Sequence, residues 1–583
     1  MLHGTRPYIT FNMLSIPYEE LTVGPSPSEN ATAIAVLDSG ILSNHPLLQN
    51  AVGDEKPFTL LKSDKIVSDK PSDDVGHGTK VSGVALYGDI KDCIQNKSFV
   101  PQLWILSAKI MYAEENPITG EIEAKYDESE LLEHQLDKAV KWAISIYPNC
   151  KVINISFGNK FNRMLGNKRQ FPLATLIDDL ANQLNVIFVV SSGNIPSDFL
   201  NINYPDSYPN YLFEGDEETK VVDPASSAYS ITVGSITQQF GPANNTVGQL
   251  SFSPAQTHYP SPFSCAGPGY KEMIKPELVE EGGNIIYSPA DSYKMQDIGG
   301  KLILLNPNWI TDGRLFTVDY GTSFSTPKVA HQIGILCNSF PYYSHNLIKA
   351  LLIAAADIPN ERPPALNNIG YNSADSELMK LLNVYGYGIP NVNASSTSDA
   401  NRVLLLAENK IKVDSIHLYY FYLPSEFVNT VGERQLSVSL VYNPPIRRNR
   451  IDYMGLSIEY HLFKNSTIDE IRSNYKSIKI SADLEDIVPE QLKLRKIDLS
   501  PGVRTRKRGI HQKGLKIYTH KPEIDATKPI VLSVVAQKKW ISDPEYLQDY
   551  AVVVMVKHQA SIDLYNRIKQ QIEPEQRVRI RPG

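Results

Sequence analysis

Four short stretches set a carboxylate, an imidazole, a primary amide and a hydroxyl among glycines and other small residues. In AIAVLDSGI, Asp38 closes an apolar run and precedes Ser39 and Gly40. In DDVGHGTKVSG, His77 stands between Gly76 and Gly78, just ahead of a helical pattern. In VVSSGNIP, Asn194 follows an apolar run and a glycine. In VDYGTSFSTPKVAH, Ser323 follows Gly321 and Thr322, with Pro327 and the helical run KVAHQIGIL behind it. An imidazole titrating near 6.5 can take a proton from a hydroxyl at neutral pH, and a side-chain amide can donate to a developing oxyanion. Pro327 fits the first turn of a helix, which predicts Ser323 at a helix N-terminus, beside free amides that favour negative charge. Taken singly, each residue also has an ordinary use: a strand-end turn, a loop histidine, a turn asparagine, an N-cap serine. Asp73 and Asp74, just upstream of His77, read as solvated loop residues.

The elements that would have to position these groups read as a parallel α/β region. Between about residues 31 and 395, AIAVLD (33–38), KVINISF (151–157), NVIFVVSS (185–192) and SITVGSI (230–236) are apolar, β-branched runs with almost no polar face. Such runs are buried strands. The stretch 129–147 places Leu132, Leu136, Val140 and Ala143 on one helical face and ends before Pro148; 172–184 repeats the pattern with Leu173, Leu176, Ile177, Leu180 and Leu184. Strands alternating with helices imply a parallel sheet with functional loops at the strands' carboxyl ends. Past residue 400 the texture changes to short segments such as QLSVSLVY, where Leu436, Val438, Leu440 and Tyr442 alternate with polar or small residues. With one helical patch at about 484–496, this predicts a separate antiparallel β-sandwich.

Asp, then His, then Ser is the chain order of the subtilisin-type triad. VLDSGI resembles the subtilase Asp motif, HGTKVSG its His motif and GTSFSTPKVA its Ser motif. INISFG resembles the strand lining the substrate cleft, SSGN the oxyanion segment, and DPASSAYSITVGSI and GYGIPNVNAS two further landmarks. The chain therefore resembles the subtilase serine peptidases from about residue 31 to 395. The resemblance implies a subtilisin-like parallel sheet flanked by helices, followed here by an antiparallel, jelly-roll-like β-sandwich. The expected division is an N-terminal arm (1–30), a catalytic domain (31–398) and an accessory domain (399–583). It also implies Ser323 as nucleophile, His77 as general base and then acid, and Asp38 as the group that fixes the imidazole tautomer. Asn194 and the Ser323 amide would form the oxyanion hole. Ser156, Phe157 and Gly158 would pair with an extended polypeptide substrate, and Ser192 and Gly193 would line its site. Phe324 and Ser325 stand where the family usually has Met and Ala, so Ser325 is a second hydroxyl in the motif, with Ser323 the expected nucleophile.

Other features bound the reading. A net charge of −7 gives no overall pull toward nucleic acid or acidic membranes, and no run of eighteen apolar residues predicts a membrane helix. Four scattered cysteines and the absence of a visible secretory signal fit a cytoplasmic protein with reduced thiols. No calcium-loop motif appears, so no cofactor is expected and calcium has no support in the sequence. The 37 residues before Asp38 are too few for the folding prodomain of secreted subtilases, so either the chain folds without one or an upstream part is missing, and the arm is expected to lie across the catalytic domain. Long connections at 53–74, 113–128, 195–220 and around 284–316 are expected to restrict the cleft. The basic clusters 446–450 and 504–509 read as solvated hairpin tips, and Ile195 favours a neutral or apolar residue before the cut. Some intracellular bacterial subtilases are encoded beside an AAA-type ATPase, so the resemblance extends to such a regulatory partner. Two alternatives stay open: a latent or inactive subtilase-fold scaffold, and an exopeptidase.

Overall fold

The computed structural model describes residues 11–59, 72–117, 120, 122–166, 168–238, 251–288, 293–294, 298–448, 452–476 and 487–572. Two compact units form: Met1–Pro341 with Asp357–Asn368 and Lys380–Pro390, and Tyr342–Ala356 with Ile369–Met379 and Asn391–Gly583.

The first unit is organised by seven strands: β1 Ala33–Asp38, β2 Val52–Pro57, β3 Trp104–Lys109, β4 Cys150–Ile155, β5 Ile187–Ser191, β6 Ile231–Ile236 and β7 Leu278–Glu281. They form one sheet in the order β7-β6-β5-β4-β1-β3-β2, and every neighbouring pair is parallel. All six residues of β1 and of β6 are buried, as a sheet covered on both faces requires. Each fully buried Ile, Leu or Val there contributes about 1.5–3 kcal/mol through removal from water. The missed strand β2 is a half-exposed edge, VGDEKP, whose charged residues hide it from hydrophobic pattern reading. Four helices matter for the site: α1 His77–Tyr87, α2 Leu132–Ile146, α3 Pro172–Leu184 and α4 Thr322–Ser339. α4 is buried on most sides and packs on α1, β4, β5 and β6.

The register decides where function can lie. Ile155, the last paired residue of β4, stands opposite Leu37 of β1 on one side and Val190 of β5 on the other. Three central strands therefore end level. The chain leaves β1 toward β2 and β3 on one flank, and leaves β4 toward β5, β6 and β7 on the other. Loops diverging this way open a crevice at the carboxyl edge. In the N-terminal arm, Thr22–Val23 pairs in parallel with Ser98–Phe99 of the same unit.

The second unit holds helix α5 His345–Ala354, strands β8 Arg402–Lys412, β9 Ile416–Phe421, β10 Arg434–Tyr442 and β11 Leu456–Phe463, helix α6 Ile468–Lys476, and strands β12 Lys496–Ile497, β13 His511–Tyr518, β14 Ile530–Lys538 and β15 Leu547–His558. They form two four-stranded antiparallel sheets, β8-β15-β10-β13 and β9-β14-β11-β12. The Tyr460 hydroxyl donates to the Val438 carbonyl at 2.8 Å and Gln512 to the Ile458 carbonyl at 2.7 Å, joining one sheet to the other. Of the expected helical patch, residues up to 486 lie outside the described ones, and Glu490–Arg495 is a short 3-10 helix. In the cluster 504–509, Arg504 is exposed, but Arg506 is not part of a solvated tip: it is 3% exposed, stacks on the Tyr460 ring at 4.7 Å and donates to backbone carbonyls, so it is a core cation held by oxygen acceptors. Of the cluster 446–450, residues 449 and 450 lie outside the described ones.

Candidate active site

Asp38 ends β1 with 1% of its surface exposed. Its Oδ1 accepts the Ser39 N–H at 2.8 Å and His77 Nδ1 at 2.8 Å. A carboxylate oxygen can only accept, so Nδ1 carries the proton and Nε2 keeps the lone pair. His77 is the first residue of α1. The helix can start there because its second residue is glycine: a Cβ on Gly78 would stand 2.1 Å from the Gly40 carbonyl oxygen. Burial acts to lower the His77 pKa. The Asp38 carboxylate, by charge and by hydrogen bond, and the Asp319 charge outweigh it, while Lys80 opposes them weakly; the net shift is upward from 6.5.

Asp73 is not a solvated loop residue. It accepts the Ser39 hydroxyl at 2.7 Å, the Gly76 N–H at 2.8 Å and the Thr79 N–H at 2.7 Å. Ser39 Oγ in turn accepts the Gly78 N–H at 2.9 Å. Asp73 thereby satisfies free amides at the start of α1 and ties that start to the residue after Asp38. Burial pushes the Asp73 pKa up, against the pull of its Thr79 and Ser39 hydrogen bonds. The DxxxH spacing was visible in the sequence, but its partner Ser39, 34 positions away, was not. Asp74 pairs with Lys109 at 3.0 Å on a more exposed rim.

The other half of the site forms where α4 begins. Gly321 is its N-cap, with φ of 147°, in the region that favours glycine. Asn194 Oδ1 accepts the Thr322 N–H at 3.1 Å and the Thr322 hydroxyl at 3.0 Å. The Asn194 amide is thus fixed by its oxygen, with Nδ2 as its donating end; the residue itself is exposed. Phe324 N–H donates to the Gly321 carbonyl at 3.0 Å. Between these two engaged amides lies the Ser323 N–H, at the positive end of the helix. Ser323 Oγ donates to the Ser156 carbonyl at 2.7 Å, and no hydrogen bond joins it to His77 among the described residues. The second hydroxyl of the motif is out of reach: Ser325 is 0% exposed and donates to the Thr322 carbonyl at 3.0 Å. Pro327 corrects the expected helix start. It lies inside α4 rather than in its first turn, so the amide missing at Pro327 leaves the Ser323 carbonyl without its usual intrahelical partner.

Ser156, Phe157 and Gly158 continue from β4 beyond the last sheet pairing at Ile155, and the Phe157 ring packs against Tyr126 at 5.6 Å. Ser192 and Gly193 continue from β5, and their carbonyls are engaged by the Val222 and Cys265 amides. Three strand ends and two helix starts therefore bring Asp38, His77, Ser323, Asn194 and Ser156 to one edge. Among the described residues no His, Cys, Asp and Glu group is arranged to hold a metal, the four cysteines are unpaired, and no helix is long and apolar enough to cross a membrane.

The model of the subtilase family matches residues 29–388. An uncharacterized protein of Sinorhizobium fredii, y4bN, is 31% identical over 444 residues, which is 73% of this chain and 96% of that one. A subtilisin of a Bacillus species is 27% identical over 216 residues, 36% of this chain and 46% of that one. Among solved structures, the epidermin leader peptide processing serine protease of Staphylococcus aureus aligns at a TM-score of 0.38 and 18% identity, over 65% of this chain and 77% of its own. The nisin leader peptidase of Lactococcus lactis aligns at 0.37 and 18% identity, over 57% and 85%.

Proposed function

The chain belongs to the subtilase family and is a serine peptidase, and on that premise we propose a regulated, cytosolic endopeptidase with Asp38, His77 and Ser323 as its triad. The observation that carries the residue roles is the 2.8 Å hydrogen bond from His77 Nδ1 to buried Asp38, which leaves Nε2 as the basic atom.

In this mechanism the substrate binds as an extended strand beside Ser156–Gly158, and the Ser323 hydroxyl turns from the Ser156 carbonyl to His77 Nε2. Oγ attacks the scissile carbonyl as Nε2 takes its proton, and Asp38 stabilises the imidazolium. The carbonyl oxygen becomes an oxyanion held by Asn194 Nδ2 and the Ser323 N–H. Collapse passes the proton from Nε2 to the leaving amine and leaves an acyl-enzyme on Ser323. A water, deprotonated by His77, attacks that ester, and the second collapse returns the proton to Oγ. A peptide library with both ends blocked, followed by mass spectrometry, tests the reading. Internal cleavage by wild type and none by Ser323→Ala is expected, with neutral or apolar residues before the cut. Cleavage confined to peptides with a free end would make the protein an exopeptidase. A second reading draws on the Ser323–Ser156 hydrogen bond: a resting enzyme that is latent until substrate or a partner redirects the hydroxyl. Activity of the isolated chain on the library would exclude it.

A further inference from the structure

One charged pair at the edge of the site has no part in that mechanism. Lys80 lies on α1, three residues and so about one turn after His77, on the same helical face. Its Nζ meets Asp319 Oδ2 at 2.8 Å, and Asp319 lies four residues before Ser323 in the sequence. The other Asp319 oxygen accepts the Tyr320 N–H at 2.9 Å, which fixes the carboxylate on the backbone leading into the Gly321–Ser323 turn. The two side chains are 239 positions apart in sequence and partly buried, at 19% and 33% exposure. They connect the element that starts with the imidazole to the element that ends in the hydroxyl.

We propose that Lys80 and Asp319 form a positioning pair that ties the helix starting at His77 to the segment leading into the Gly321–Ser323 turn, and so holds His77 and Ser323 in register. The inference rests on the assigned roles of His77 and Ser323. The charged groups that act on the imidazole are Asp38 from β1, Lys80 from its own helix and Asp319 from the segment before α4; Asp73 acts one step removed, through Ser39. Asp319 stabilises the imidazolium and Lys80 destabilises it, so removing one charge at a time must move the titration of His77 in opposite directions. An ion pair electrostatically remote from the imidazole predicts no such split. Neither residue touches the reacting atoms, so the effect on turnover should be moderate: about fivefold, the scale of a partly exposed ion pair.

The test is the pH profile of fluorophosphonate labelling of the full chain, in wild type, Lys80→Met, Asp319→Asn, the double variant and Lys80→Arg. The acid limb should move to lower pH in Asp319→Asn and to higher pH in Lys80→Met. The plateau rate should fall about fivefold in each, and the double variant should be no slower than either single. Lys80→Arg, which keeps charge and tie, should label like wild type. Thermal melting checks that each variant is folded. Acid limbs that stay at the wild-type position in both single variants, or a Lys80→Arg as slow as Lys80→Met, would overturn the proposal. A folded wild type that never labels would instead remove the assignment of Ser323 and His77 on which it stands.

Discussion

The two halves of the site are held in different ways. His77 is oriented without any substrate: a buried carboxylate accepts its Nδ1 proton, Asp73 ties the start of its helix to Ser39, and Gly78 lets that helix touch the β1 loop. The Ser323 backbone lies between amides capped by Asn194 and Gly321, and its hydroxyl donates to the Ser156 carbonyl rather than to His77. A base benefits from one fixed tautomer. In the proposed mechanism a nucleophile on a single rotatable bond is redirected by a substrate strand bound beside Ser156. On that proposal, control acts on the hydroxyl and the residues that receive substrate, with the Asp38–His77 pair ready throughout.

Substitutions can break this contrast. The largest effect is expected from Asp38→Asn, which loses the acceptor that fixes Nδ1–H; kcat should fall about 10⁴-fold with KM little changed. Asn194→Ala should lower kcat by about 10²–10³ through the lost oxyanion donor, and also loosen the start of α4, read as faster amide exchange at Thr322. Asp73→Asn should act on the His77 half alone, lowering stability by about 1 kcal/mol as a helix-start acceptor weakens, with a smaller loss in kcat. Equal loss of kcat in Asp73→Asn and Asp38→Asn would show that the helix start, rather than the carboxylate, sets the imidazole.

The pH dependence sharpens the same contrast. The His77 pKa is raised, so the neutral base predominates only above the raised value, and the acid limb of kcat/KM should lie above pH 6.5. Stability from the Asp38–His77 pair runs the other way: it is full below the unfolded pKa and is lost as pH rises through the folded one. In the second unit, Glu459 is held at about 2. Burial opposes its ionisation, but His461 at 3.0 Å, Lys507 at 3.0 Å and the Ile487 N–H outweigh it. Its stabilisation is present above its ordinary value of 4.5 and lost as pH falls toward 2. Glu459→Gln should flatten the acid dependence of amide exchange in β11 and leave peptide cleavage unchanged, the smallest expected effect.

Much of the first unit could be read from local pattern. Residues 33–38 and 172–184 match β1 and α3 to the residue, because a fully buried strand and a one-sided helix print their environment on consecutive positions. Edge strand β2 could not be read, since its charged face resembles a loop. Asp38, His77, Asn194 and Ser323 were visible as residues beside glycines. Asp73 and the Lys80–Asp319 pair were not, because their meaning depends on partners 34 and 239 positions away. Pro327 misplaced the start of α4 for a related reason. The helix begins at Thr322 because Asn194 caps it from another segment, and local preference for proline in a first turn carries no information about that cap.

The central claim is that Ser323 is a nucleophile activated by His77. Mapping the adduct of a fluorophosphonate by mass spectrometry, in wild type and His77→Ala, tests it most directly. The account predicts one adduct, on Ser323, strongly reduced in His77→Ala. An adduct on another residue such as Ser325 or Ser156, or labelling of Ser323 that does not depend on His77, would contradict it.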